Sequence, residues 1–200
     1  MSSSSKPEVF IIESLDLRQE KLGFGEGQML CQLLRMMEKE PLYYYIRTKQ
    51  ELRAMAREFE QSRYRYLHIS CHGTPEQFDL SLDAVTFGTF ARIFRPVLHN
   101  RRIFLSACDI AQADLADKLF RDLDTAPYSM TGPTEEIYFS DAAAIWASLY
   151  NLLFQDDSQT ISGTRLREHL TKLCELNNVT FAHFARTNSS PHYIEHNLGP

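Results

Sequence analysis

Short apolar runs alternate along this chain with longer stretches of helical period, and that alternation limits the fold more than any other feature. Val9, Phe10, Ile11 and Ile12 make one run; Ile103, Phe104 and Leu105 make another. A strand that is apolar at successive positions has both faces covered, as inside a parallel sheet. Between such runs, Met29, Leu30, Leu33, Leu34 and Met37 fall on one helical face, and so do Leu52, Met55, Ala56 and Phe59. Thr48, with Glu51 three residues on, makes a capping box ahead of the second of these helices. Strands are expected over residues 8–14, 42–47, 64–70, 102–107, 128–132 and 179–185, with a short hairpin arm at 79–82. The first helix ends at Pro41. Later helices are expected over residues 87–97 (broken by Pro96), 114–123, from Asp141 as N-cap to 154, and 163–177. The glycines at 23, 25 and 27 mark a loop. Strand–helix alternation of this kind implies an α/β fold, a mostly parallel sheet with helices on both faces. In the last strand Val179, Phe181, His183 and Ala185 alternate, which suggests one partly solvated face.

With 200 residues, 44% hydrophobic and 24% charged, the chain suits one soluble domain. No linker-like shift in composition divides it. Residues 1–7, a serine-rich run, are expected to be a disordered tail, and residues 8–200 a single domain. No apolar stretch approaches the ~20 residues of a membrane span, and no apolar segment follows the serines as in a secretory signal. The four cysteines, Cys31, Cys71, Cys108 and Cys174, have no CxxC spacing. Reduced thiols in a cytoplasm are therefore expected, with no metal site and no cofactor. A net charge of -5 argues against direct nucleic-acid binding. The pairs Arg63 with Arg65, and Arg101 with Arg102, flank strands and are expected to be solvated.

Ligands of open parallel sheets bind beyond the carboxyl ends of the strands. There the third strand delivers His72 and the fourth delivers Cys108. A thiol needs a base nearby to attack a carbonyl at neutral pH, and histidine can take that proton and later return it to a leaving amine. Gly73 allows a close backbone approach, and its N–H, with that of Cys108, could hold an oxyanion. Taken singly, each has a simpler reading: a buried cysteine as a small core residue, a histidine as a hydrogen-bonded structural group. As a pair ending two successive core strands, they are candidates for a catalytic dyad.

The segments carrying this pair resemble a known family. Leu67-His68-Ile69-Ser70-Cys71-His72-Gly73 is similar to the histidine block of the CHAT proteins, in the clan of caspases, separases and gingipains. Phe104-Leu105-Ser106-Ala107-Cys108 is similar to their cysteine block, and residues 141–150 to the segment that follows. The resemblance runs from about residue 8 to residue 186. It implies a caspase-like three-layer sandwich with a six-stranded sheet, and peptide hydrolysis through a thioester. His72 would be the base or acid and Cys108 the nucleophile. It also implies a role in programmed cell death or antiviral defence, cleaving an effector protein. Asp109 and Ile110 follow the cysteine where caspases carry a glycine block, so aspartate-directed cleavage is not implied.

Four acidic residues, Asp109, Glu135, Glu136 and Asp141, lie near the ends of the fourth and fifth strands. They are candidates for a pocket that favours arginine or lysine before the cut. Asp141 also suits a plain N-cap. A protein substrate is expected, with a regulatory protein partner or an oligomer formed through the last strand at the sheet edge. The main rival is a catalytically silent caspase-like adaptor module. A glutamine amidotransferase-like hydrolase would place its cysteine on a glycine elbow ahead of the histidine. A nucleotide-binding domain would need a phosphate loop; neither feature is present.

Overall fold

The first apolar run lies inside the sheet, as its pattern requires. In the computed structural model, which describes residues 5–200, β1 (Lys6–Glu13) is flanked in parallel by β2 (Leu42–Tyr45) and β3 (Tyr64–Ser70). The chain then makes a small antiparallel sheet of β4 (His72–Gly73), β5 (Gln77–Asp79) and β6 (Ala84–Thr86). It returns to the main sheet as β7 (Arg102–Ser106), parallel to β3, and β8 (Ser129–Pro133), parallel to β7. Finally β9 (Phe181–Arg186) and β10 (Tyr193–Leu198) add on antiparallel. The order across the seven strands is β10-β9-β8-β7-β3-β1-β2.

Helices cover both faces. Between β1 and β2 come α1 (Leu17–Leu22), which buries nothing, and α2 (Glu26–Met36). On one face α3 (Lys49–Ser62), α4 (Phe87–Phe94) and α5 (Ala113–Leu119) set Phe59, Phe90, Phe94, Leu115 and Leu119 against Phe10 and Ile12. On the other, α2 joins α6 (Phe139–Asp156) and α7 (Gly163–Asn177), packing Leu30, Trp146, Leu149 and Leu166 against Val9 and Ile11. Alternate residues of β1 thus serve opposite cores. Both halves of the Thr48–Glu51 capping box form. No helix among the described residues is long and apolar enough to cross a membrane.

Several expectations need correction. Residues 6 and 7, expected in the tail, belong to β1, because the Lys6 N–H donates to the Arg63 carbonyl (2.9 Å); residues 1–4 lie outside the described residues. The sheet has seven strands, not six. Residues 181–186 are not its edge: β10 pairs along β9 and takes the edge position, so the expected partly solvated face of β9 is largely buried. Asp141 is not an N-cap, since α6 starts earlier, at Phe139; Asp141 sits in its first turn, where a negative charge suits the helix dipole. Arg102, expected in solvent, is only 7% exposed.

Where the carboxyl ends of the central strands meet α2 and α6, the packing turns polar. Glu26, at the start of α2, is buried, and its carboxyl accepts from Ser70 Oγ of β3 (3.2 Å), Ser106 Oγ of β7 (2.8 Å) and His68 Nε2 (3.2 Å). His68 Nδ1 accepts from the Tyr150 hydroxyl of α6 (3.1 Å), and the imidazole stands edge-on to Trp146. Glu26→Ala would leave two hydroxyls and an imidazole N–H buried without an acceptor. We expect it to lower unfolding free energy by about 3 kcal/mol or more, read as a fall in the urea midpoint. Glu26→Gln, which keeps a carbonyl acceptor, should cost less.

Candidate active site

β3 and β7 are adjacent in the sheet, so their carboxyl ends open onto one place. The Cys71 N–H donates to the Ser106 carbonyl (3.0 Å), carrying the ladder one step beyond β3, and the Cys71 side chain enters the core. His72 then leaves the main sheet and starts β4, opposite Asp79 of β5. On the neighbouring strand, Cys108 follows two residues after β7. The turn behind it needs a left-handed residue, and Asp109 supplies it at φ 54°. Aspartate tolerates that region better than most side chains. The Asp109 N–H donates to the Glu135 carbonyl (3.1 Å) and that of Ala111 to the Pro133 carbonyl (3.0 Å), which fixes the turn against the end of β8 and the segment after it. Gly73 has no room for a side chain: a Cβ there would lie 2.8 Å from the Cys108 carbonyl oxygen and 3.0 Å from Ala107 Cβ. The histidine and cysteine loops therefore touch backbone to backbone.

His72 and Cys108 line one open cavity of about 560 Å³, together with Thr74, Pro75, Asp109 and Tyr138. His72 Nε2 donates to Gln19 Oε1 (2.7 Å), with Asp16 Oδ2 at 3.5 Å. A neutral ring with its proton on Nε2 has Nδ1 as its basic nitrogen. The Asp16 carboxyl is held below the ordinary aspartate range, mainly by the Gln19 N–H it accepts and also by His72. Cys108 Sγ donates to the Ile137 carbonyl (3.5 Å). The Cys108 N–H has no acceptor among the described residues. The other cysteines are buried, and burial pushes their thiols up: Cys174 to about 12, Cys31 upward, Cys71 well above the usual thiol range. Cys108 alone is half-buried.

The four acidic candidates separate. Asp109 and Glu136 line the cavity. Glu135 instead accepts the Thr180 N–H (2.6 Å), and Asp141, outside the cavity lining, accepts from Ser140 Oγ (3.3 Å). Asp16 and Gln19, which hold His72, were not expected. A signal for them exists: Asp16 three residues before Gln19, with a glycine at 23, is an N-cap and C-cap pattern around one short turn. Among the described residues there is no cluster of histidine, cysteine and carboxyl groups suited to a metal.

No protein-family model matches the chain, and no curated protein sequence matches it. Solved structures do. The Arg-specific cysteine proteinase gingipain R superposes with a TM-score of 0.58 at 12% identity, over 84% of this chain and 41% of that one. The chain therefore spans well under half of the gingipain's length. Caspase-1 from Spodoptera frugiperda superposes with a TM-score of 0.56 at 12% identity, over 98% of this chain and 86% of that one. The pro-sf-caspase-1 structure gives 0.53 at 13% identity, over 88% and 84%. Its mostly parallel central sheet, flanked by helices on both sides, is thus a caspase-like fold of the kind found in cysteine peptidases.

Proposed function

We propose that the chain is a cysteine endopeptidase with Cys108 as nucleophile and His72 as proton carrier. One observation carries this reading: in a caspase-like fold, these two side chains line the same cavity at the carboxyl ends of adjacent parallel strands. The thiol proton passes to His72 Nδ1 as sulfur attacks the substrate carbonyl. The negative charge that develops on oxygen falls to the Cys108 N–H, with the Gly73 N–H beside it. Collapse expels the amine, which takes the proton from His72 and leaves a thioester; water then releases the acid and restores the thiol. In the resting state sulfur donates to the Ile137 carbonyl and the imidazole to Gln19. Such hydrogen bonds rearrange when substrate arrives. The same resting bonds are what favours the second reading, a catalytically silent caspase-like adaptor.

Asp109 and Glu136 give the cavity an acidic lining, and the gingipain with this fold is described as Arg-specific. Both support cleavage after arginine or lysine. The CHAT-like blocks around His72 and Cys108 support a cytoplasmic defence or cell-death setting, with an effector protein as substrate. Regulation by a protein partner or by self-association is part of this reading. One edge open to it is β10, where Ile194 is exposed.

Labelling with a thiol-reactive peptide ending in arginine tests the dyad. We expect labelling to vanish in Cys108→Ala, to slow about 100-fold or more in His72→Ala, and to persist in Cys71→Ala. Equal labelling of all these proteins would favour the adaptor. Gly73→Ala should slow labelling about tenfold or more by driving the two loops apart, while the chain still folds. Against a peptide library, cuts should follow arginine or lysine, and Asp109→Asn with Glu136→Gln should raise KM for those peptides about tenfold. Cuts confined to apolar residues would exclude the acidic pocket.

A further inference from the structure

At the opposite end of the sheet, where the parallel strands begin, a larger cavity of about 660 Å³ opens. Arg65, Arg102, Arg167 and Arg186 all line it, and no aspartate or glutamate does. That is a marked local imbalance in a chain of net charge -5. None of the four makes an ion pair among the described residues. Arg102 donates to Ser129 Oγ (2.7 Å) and the Ile161 carbonyl (2.9 Å). Arg186 donates to Asn100 Oδ1 (2.6 Å) and the Ala126 carbonyl (3.3 Å). These acceptors are neutral, so the buried Arg102 charge has no counter-charge from the protein.

The charges converge on one spot. The point where a Cβ of Gly163 would stand lies 3.6 Å from Arg167 Nη1 and 3.7 Å from Arg102 Nη2. Gly163 opens α7, whose N-cap, Ser162, makes no side-chain cap hydrogen bond and whose first turn carries no acid. The free N–H groups and the positive end of the helix dipole therefore face the same place as the two guanidinium groups. A second, independent sign comes from His183. Its ring is fully buried and lines the cavity, with Nδ1 paired to Thr131 Oγ1 (2.8 Å) and Nε2 without any partner. Burial, with Arg102 and Arg167 nearby, pushes its pKa down to about 3, so the ring is neutral. When Nδ1 accepts from Thr131, Nε2 carries an N–H with nothing to donate to. Tyr128, half exposed, stacks near Arg102 and Arg186 at the rim.

We propose that this cavity binds a small phosphate-bearing molecule, with a phosphate held at the start of α7 between Arg102 and Arg167. Guanidinium forks match phosphate oxygens, and the volume is that of a small-ligand site. The recess is concave and backed by fully buried residues, which suits a small anion better than the open basic face that tracks a nucleic acid.

The test is calorimetric titration of the full chain, near physiological salt, with inorganic pyrophosphate and with a nucleoside triphosphate. Saturable binding of at least one, with a rise in Tm, is expected. Arg167→Ala and Arg186→Ala, both at half-buried positions, should each weaken it about tenfold or more. Arg102→Ala removes a buried group and could unfold the chain, so the two half-buried variants decide. Arg92→Ala, in a separate recess with Arg53 and Arg57, should leave binding unchanged. Equal affinity for the two probes assigns recognition to the phosphates alone. Tighter nucleotide binding that is lost in Tyr128→Ala adds a stacked base; either result supports the site. Absence of binding at millimolar concentration, binding indifferent to Arg167→Ala and Arg186→Ala, or tighter binding of a short single-stranded oligonucleotide would overturn it.

Discussion

The candidate site rests on one buried carboxyl group. Glu26 gathers Ser70, Ser106 and His68 from two adjacent strands, and through His68 it reaches Tyr150 on α6. Each strand end that leads into a reactive loop is thereby tied to the same helix. A second carboxyl repeats the device one strand over: Glu13 of β1 accepts the Gly27 N–H (2.7 Å) and the Tyr43 hydroxyl (2.7 Å), and burial raises its pKa. Gly27 is required between them, since a Cβ would meet Ile11 Cγ2 at 3.0 Å and Glu13 Cβ at 3.1 Å. Apolar packing alone tolerates small slips of one layer on another, whereas a satisfied polar cluster has one geometry. Loops whose backbones must touch at Gly73 and Cys108 need that kind of fixed base.

Much of this was legible in the sequence because it rests on periodicity. Apolar runs at residues 9–12 and 103–105 place two central strands, and the i, i+4, i+7 set of Leu52, Ala56 and Phe59 places α3 with its cap. His72 and Cys108 stand out because reactive side chains directly follow such runs. The features that escaped have no periodic signature. Helix α1 buries no residue, so no apolar stripe marks it. Strand β10, Tyr-Ile-Glu-His-Asn-Leu, carries no apolar run because it is an edge: half of its residues are exposed and Leu198 alone of the six is buried. Helix α6 begins at Phe139 without a capping side chain, so Asp141 was the more visible but misleading start.

Arg102 shows a different limit. An arginine at the first position of a strand is normally solvated, and nothing local distinguishes this one. What buries it is distant in sequence: Ser129 from the next strand, and Ile161 and Gly163 from the approach to α7. Charge clustering of this sort is a property of topology. Arg65, Arg102, Arg167 and Arg186 are spread over the chain, and only the strand order brings them to one cavity.

The two halves of the proposed dyad are held very unequally. Cys108 sits on a turn fixed by two backbone hydrogen bonds to the end of β8 and the segment after it, and backed by the Glu26 cluster. The His72 backbone is fixed through Gly73, yet its ring is oriented by Gln19 and Asp16, which belong to α1 and its cap. That helix has six residues and no buried side chain; the Asp16 cap and the left-handed Gly23 close its ends, and a Glu20–Arg47 ion pair at the surface ties it to the loop after β2. Isolated helices of this length are marginal, so α1 is the element beside the site with least to lose on opening. Orientation of the imidazole is therefore the adjustable part of the site and placement of the sulfur the fixed part. On the proposed reading, a partner that ordered or displaced α1 would reorient the His72 imidazole while leaving the Cys108 sulfur where the sheet puts it.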